Sequence, residues 1–195
     1  MNKYKIILLA TIFLLIGCGA KQKDKDKETV MEKTNLEQDR AIITTQFGDI
    51  ELEFFDDIAP KHVESFKLHA KNGYYDGTTF HRVIPGFMIQ GGDPNTKTDN
   101  KGSWGMGGPG YNVKAEFSSR SHLRGIVSMA RAMDPDSAGS QFFIMHKDST
   151  FLDNEYTVFG EVIKGIKVAD KVVSQPRTRR DLPLERIEIT IEVMD

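Results

Sequence analysis

From residue 49 to residue 55 apolar and acidic side chains alternate, with Ile50, Leu52 and Phe54 set against Glu51 and Glu53. That period of two predicts a strand buried on one face. A β-rich run over 41–46 lies just before it, separated by Phe47-Gly48, so the pair forms a predicted hairpin. The period then changes. Val63, Phe66 and Ala70 recur at helical spacing, with Pro60 in a first-turn position and Gly73 just past the end. Strand-like runs return over 78–84 and 87–90 around Pro85-Gly86, and again over 127–130, 141–145 and 157–162. Residues 166–173 predict a second helix, and 185–193 a closing strand with Ile187, Ile189, Ile191 and Val193 inward. Many short strands with only two helices predict a mainly β fold, an antiparallel barrel or a sandwich.

The first 39 residues follow another pattern. Lys3 and Lys5 precede an apolar run over 6–16 that ends in Gly17 and Cys18. A spanning helix needs about 20 apolar residues, so this shorter run reads as a secretory signal sequence over 1–17. Its end, Leu15-Ile16-Gly17-Cys18, resembles a bacterial lipobox. The resemblance implies cleavage before Cys18 and acylation of that cysteine; the alternative is an ordinary signal sequence with an incidental cysteine. Residues 18–39 then mix lysines with Asp24, Asp26, Glu28, Glu32, Glu37 and Asp39 and hold little to bury, which predicts a flexible charged tether. A folded domain is expected over 40–195. The expected location is the bacterial cell envelope, with the domain outside the cytoplasm and the membrane reached through lipid on Cys18.

Composition narrows the chemistry. The chain has 195 residues, 26 basic against 28 acidic side chains and a formal charge of −2, so nucleic acid is not an expected partner. A single cysteine excludes an internal disulfide framework and any thiolate metal cluster. Gly105 to Gly110 satisfies the spacing G-x-G-x-x-G, but more glycine and a proline surround it where a strand and a helix are required. It reads as a surface loop. His62 and His69 stand seven apart, and His122 and His146 are isolated, so no metal site is expected. Arg177, Arg179 and Arg180 read as a solvated basic loop.

Two apolar–amide clusters remain, Phe80-His81-Arg82 through Phe87-Met88 to Gln90-Gly91-Gly92-Asp93, and Ser140-Gln141-Phe142-Phe143-Ile144-Met145. In a strand His81 and Arg82 face opposite ways, Met88 and Gln90 share a face, and so do Gln141 and Phe143. Taken alone, these residues could equally be core packing with a buried Arg82 paired to a carboxylate.

Together with Ser128-Met129-Ala130, Leu152-Asp153 and Val158-Phe159-Gly160, these stretches resemble the cyclophilin-type peptidyl-prolyl cis-trans isomerases over about 42–193. The resemblance implies a closed eight-stranded antiparallel β-barrel capped by two α-helices, with a substrate groove outside. It implies catalysis of X-Pro isomerisation without cofactor, acting on proline-containing peptides and unfolded proteins; a monomer is expected. Arg82 would be the catalytic arginine, with Gln90 and Gln141 positioning it and the peptide backbone. Phe87, Met88, Phe143 and Leu152 would form the proline pocket, Ala130 and Arg131 the groove wall, and His81 a support. Phe151 stands where the family often has tryptophan, Tyr156 where it often has histidine, and Arg131 where many members have asparagine. Phe151 thus lacks an indole N–H, while Tyr156 can still wall the pocket and hydrogen-bond. A module that holds proline segments without turnover, or an adhesion scaffold, is the competing expectation.

Overall fold

Nine short strands curl into one antiparallel sheet, which the computed structural model describes for residues 40–194. The expected signal sequence, Cys18 and the expected tether lie outside the described residues. In chain order the elements are β1 (Arg40–Thr45), β2 (Gly48–Phe54), α1 (Pro60–Lys71), β3 (Thr78–Thr79), β4 (Arg82–Ile84), β5 (Met88–Gly91), β6 (Ile126–Met129), β7 (Phe142–Met145), β8 (Val158–Lys164), α2 (Ile166–Val173) and β9 (Glu188–Met194). The sheet order is β3-β9-β1-β2-β8-β6-β7-β5-β4. The β1–β2 hairpin pairs Ile43 with Ile50 and the next ladder pairs Ile43 with Ile191, so three isoleucines meet inside.

The expected closed eight-stranded barrel is therefore corrected to an open, curled sheet of nine strands. The cause lies in the predicted strand 78–84. Its first half pairs with β9 and its second half with β5. Between them the Phe80 N–H donates to Ile187 O at 3.0 Å and the His81 N–H to Gln90 O at 3.0 Å. The chain passes from one partner to the other there, so one expected strand becomes two, at opposite ends of the ladder. The helix predicted over 166–173 forms over those residues, but the closing strand begins at Glu188 rather than 185.

The interior is aromatic. Phe66 of α1 meets Phe54 at 5.7 Å, Tyr75 at 5.0 Å, Phe142 at 5.4 Å and Phe159 at 5.2 Å between ring centroids. Both helices bury their apolar stripe on this core, α1 through Val63, Phe66 and Ala70 and α2 through Ala169, Val172 and Val173. The α2 entry needs Gly165, whose φ is +84° and where a Cβ would collide with Asp49 O. No side chain caps α1 locally. Glu116 does so from a distant loop, accepting from the Lys61 and His62 N–H groups at 3.3 and 3.1 Å. A carboxylate at a helix N-terminus is favoured by the dipole as well as by these bonds.

Burial also sets a pH dependence. The buried imidazoles of His62, His69 and His81 are each pushed below their usual range by desolvation, an effect that Glu116 partly opposes at His62. Below the unfolded value of about 6.5, the unfolded chain takes up protons that the folded chain refuses. Stability is then complete above that pH and falls as the pH drops through it. We expect the urea midpoint to decline between about pH 7.5 and pH 5.5, and replacement of His81 by glutamine to flatten the decline. A midpoint that holds or rises on acidification contradicts this account.

Candidate active site

Strand alternation separates two apolar layers. In β5 and β7 Ile89, Phe142 and Ile144 turn into the main core, while Met88, Phe143 and Met145 turn outward into a second cluster with Phe55, Ile126, Leu152 and Val158. Every residue of β7 is thus buried although the strand shows both faces. Half-buried Phe87, Ala130 and Tyr156 pack on the second cluster, which forms an apolar floor on the outside of the sheet.

The polar side of this floor comes from the β4–β5 hairpin. Register places Arg82 directly across from Gln90, and Gln90 across from Phe143. Arg82 is exposed, and its Nη1 donates to Gln90 Oε1 at 3.4 Å. Gln90 Nε2 donates to Gln141 Oε1 at 3.0 Å, and Gln141 Nε2 to Gly107 O at 2.9 Å. Each amide receives at its oxygen and donates through its nitrogen, so the chain of bonds has one sense and fixes both amide orientations. Among the described residues Arg82 has no carboxylate partner, which removes the reading of it as a buried, ion-paired core residue. Most of its five donors stay available beside the apolar floor.

The other expected residues take distinct places. Phe143 and Leu152 are buried in the floor, and Tyr156 meets Phe143 edge-on at 5.6 Å. Phe87 stacks on Phe151 at 5.7 Å, and Phe151 is 71% exposed, so it forms a rim rather than a wall. The Ala130 N–H donates to Gln141 O at 2.9 Å, so a bond from Ala130 to a peptide must use its carbonyl. Arg131 lines the groove beside Ala130, with its guanidinium tied to neighbouring groups. It donates to Glu155 O, Ala132 O and Met133 O, reaches the Glu155 carboxylate at 3.2 Å and lies 4.7 Å over the Tyr156 ring. It braces the Tyr156 ring. His81 is buried on the face opposite Arg82, as strand parity predicts, and its neutral form is favoured by burial.

Two contributors escaped the sequence reading. The glycine loop 105–110 is more than a surface connection: with Gln90, Ala130–Ala132 and Gln141 it encloses a cavity of about 700 Å³ continuous with the hairpin. It is anchored by the buried Asp93 carboxylate, which accepts from the Gly105 and Asn95 N–H groups. His122, fully buried, lies under Phe143 at 6.2 Å in a stacked geometry, and its Nδ1 is 2.9 Å from Asp153 Oδ1. Its partner is 31 positions away, so no local spacing announces the pair.

The family model described as "Cyclophilin type peptidyl-prolyl cis-trans isomerase/CLD" matches residues 40–193. The chain is 42% identical over 143 residues to the peptidyl-prolyl cis-trans isomerase of Synechococcus elongatus (strain ATCC 33912 / PCC 7942 / FACHB-805), covering 69% of this chain and 93% of that protein. To peptidyl-prolyl cis-trans isomerase A of Dickeya dadantii (strain 3937) it is 43% identical over 151 residues, 75% of this chain and 76% of that one. The crystal structure of a Cryptosporidium parvum cyclophilin type peptidyl-prolyl cis-trans isomerase, determined in the presence of the dipeptide Ala-Pro, superposes with a TM-score of 0.73 at 34% identity. It covers 80% of this chain and 99% of that one.

Proposed function

The chain belongs to the cyclophilin-type peptidyl-prolyl cis-trans isomerases, and on that premise we propose that X-Pro bonds turn on the floor beside Arg82. Rotation about such a bond meets a barrier of about 18–20 kcal/mol because amide resonance has to be broken. In the twisted state the proline nitrogen recovers a basic lone pair, which neither planar isomer offers. A donor that meets this lone pair stabilises the transition state selectively, the condition for catalysis. Arg82 suits the task because its guanidinium stays charged and carries a rigid fork of donors. One arm is held by Gln90, whose amide Gln141 and Gly107 O orient in turn. Met88, Phe143 and Leu152 accept the proline ring, with Phe87, Phe151 and Tyr156 around the rim.

The observation that carries this reading is an exposed arginine oriented by an amide, with no carboxylate partner among the described residues, beside an apolar floor. A module that merely holds proline segments has no need of that arrangement. Proton-exchange NMR on an X-Pro tetrapeptide tests it: catalytic amounts of the protein should speed cis–trans exchange many-fold. Saturable binding without faster exchange would leave only the holding module.

The cellular setting follows from the sequence. The basic start, the short apolar run and Leu15-Ile16-Gly17-Cys18 support a lipid-anchored enzyme of the bacterial envelope, placed to assist folding of exported proteins. More than one acyl chain is needed for such an anchor, since about 0.8 kcal/mol per buried CH₂ leaves a single chain only marginally bound. Cells fed a labelled fatty acid should label the protein, and replacement of Cys18 by serine should abolish the label; labelling that survives the change excludes Cys18 as the anchor.

A further inference from the structure

The basic loop ahead of β9 is an ordered hairpin. Arg177 pairs across it with Pro183, and the Thr178 N–H donates to Leu182 O at 2.8 Å. The Asp181 N–H donates back to Thr178 O at 3.1 Å, closing a four-residue turn with Arg179 and Arg180 at its central positions. The Thr178 hydroxyl braces this turn, accepting from the Arg180 and Leu182 N–H groups at 3.2 and 3.3 Å. The turn is also fastened to the active-site hairpin, because Asp181 O accepts from the Val83 N–H at 2.8 Å. Val83 follows Arg82 directly, and this bond lies on the margin of β4 that faces away from β5. The backbone of Arg180 and Asp181 therefore flanks the strand that presents Arg82, on the side away from Gln90.

Charge is shared unevenly along the groove. Arg177 is tied to Asp181 Oδ1 at 3.2 Å. Arg179 and Arg180 are exposed, and among the described residues neither guanidinium has a hydrogen bond or an ion pair. With Arg82 they leave unneutralised cationic charge at this end, on a chain whose formal charge is −2. The cavity end differs. There the Arg131 charge is met by Glu155 at 3.2 Å, and exposed Asp134 and Asp136 stand between Ala132 and Ser137, two residues that line the cavity. The groove thus runs from an acidic cavity end, past Arg82, to a basic turn.

We propose that Arg179 and Arg180 select clients with an acidic residue close to the proline, its carboxylate held on the flank of Arg82 away from Gln90. This rests on the reading of Arg82 as the group beside which the bond turns. Guanidinium groups suit the task, since their fork of donors matches the two oxygens of a carboxylate. The same charge also draws acidic peptides toward the groove before contact. The carboxylate does not change as the X-Pro bond twists, so it is held equally in ground and transition states; KM falls while kcat is kept. An anionic lipid surface fits less well. Membranes are bound through clusters of about four to eight basic residues, more than this turn presents.

The test measures exchange of two peptides that differ only in carrying glutamate or glutamine on each side of an Ala-Pro pair. In about 0.01 M salt, where charges act over about 30 Å, the glutamate peptide should show a kcat/KM about 3–10-fold higher, through KM. In about 1 M salt that range falls to about 3 Å and the two peptides should converge. Arg179→Gln with Arg180→Gln should make the peptides equal at low salt, the loss falling on the glutamate peptide. Arg179→Lys with Arg180→Lys keeps both charges and should retain most of the preference. Lys61→Gln with Lys167→Gln removes exposed charges from α1 and α2 instead and should leave the preference intact, which excludes a response to net charge alone. A parent that turns both peptides over equally at low salt overturns this assignment alone, and so does a preference that survives the glutamine substitutions. If the glutamine variant then also loses binding to phosphatidylglycerol vesicles, the arginines belong to a membrane surface. A parent without turnover of either peptide overturns the active-site reading beneath it.

Discussion

Replacing Arg82 with alanine lowers kcat/KM for an X-Pro tetrapeptide by at least about tenfold, and nearly all of the loss is in kcat. Removing one preorganised donor from an enclosed site costs about 10²–10³ in kcat. Arg82 is exposed, so water screens part of its effect and the lower end is the safer expectation. The fold should be indifferent. A surface substitution shifts stability by about 0.5 kcal/mol or less, and the one side-chain bond lost, to Gln90 at 3.4 Å, is a long one. Tm should therefore move by no more than about 2 °C. Lysine at the same position keeps the charge but lacks the fork, and should recover only a fraction of the rate. Exchange rates of the alanine variant within a factor of two of the parent would remove Arg82 from the mechanism.

The largest stability loss is expected at Phe66. It is 1% exposed, and its ring is where Phe54 of β2, Tyr75, Phe142 of β7 and Phe159 of β8 converge. Truncation to alanine removes the ring's transfer energy and leaves a hole that four large rings on separate elements cannot jointly close. Phe→Ala changes in cores cost about 3–5 kcal/mol. At about 2–4 °C per kcal/mol for a protein of this size, Tm should fall by about 6–20 °C. Leucine at the same site fills part of the space and should lose less. A calorimetric shift of only a degree or two would show that another element, not α1, holds the core together.

The sequence disclosed what repeats at short range. The alternation of Ile50, Leu52 and Phe54 and the pairing of Pro60 with Gly73 are local signals, and β2 and α1 form where they point. Strand parity put Arg82 and His81 on opposite faces before any contact was known, but did not say which of them lies inside. Contacts across long separations were not legible. Glu116 caps a helix 54 residues away, and His122 finds Asp153 31 residues on; neither spacing repeats, so neither leaves a pattern. The break of the predicted strand 78–84 was hidden for a related reason. Thr78 to Ile84 all suit extended backbone, and only the competing positions of β9 and β5 decide where the chain changes partner. The loop at 105–110 was read by its composition as mere connection, whereas buried Asp93 makes it a wall. At Arg131 the family's position was legible but the direction of the guanidinium was not, since Glu155 and Tyr156 capture it.

The exchange of partners at Phe80 and His81 also governs what the molecule does to other chains. An enzyme that takes extended proline-containing peptides is exposed to a hazard of β structure, since any uncovered sheet margin can recruit a foreign strand. Here the two margins are only two and three residues long, and both belong to one stretch of backbone. Each is occupied: the Thr79 N–H donates to Thr96 Oγ1 at 3.0 Å, and the Val83 N–H to Asp181 O at 2.8 Å. A client peptide therefore meets side chains and a cavity, not a template for zippering. It is gripped at one proline and let go.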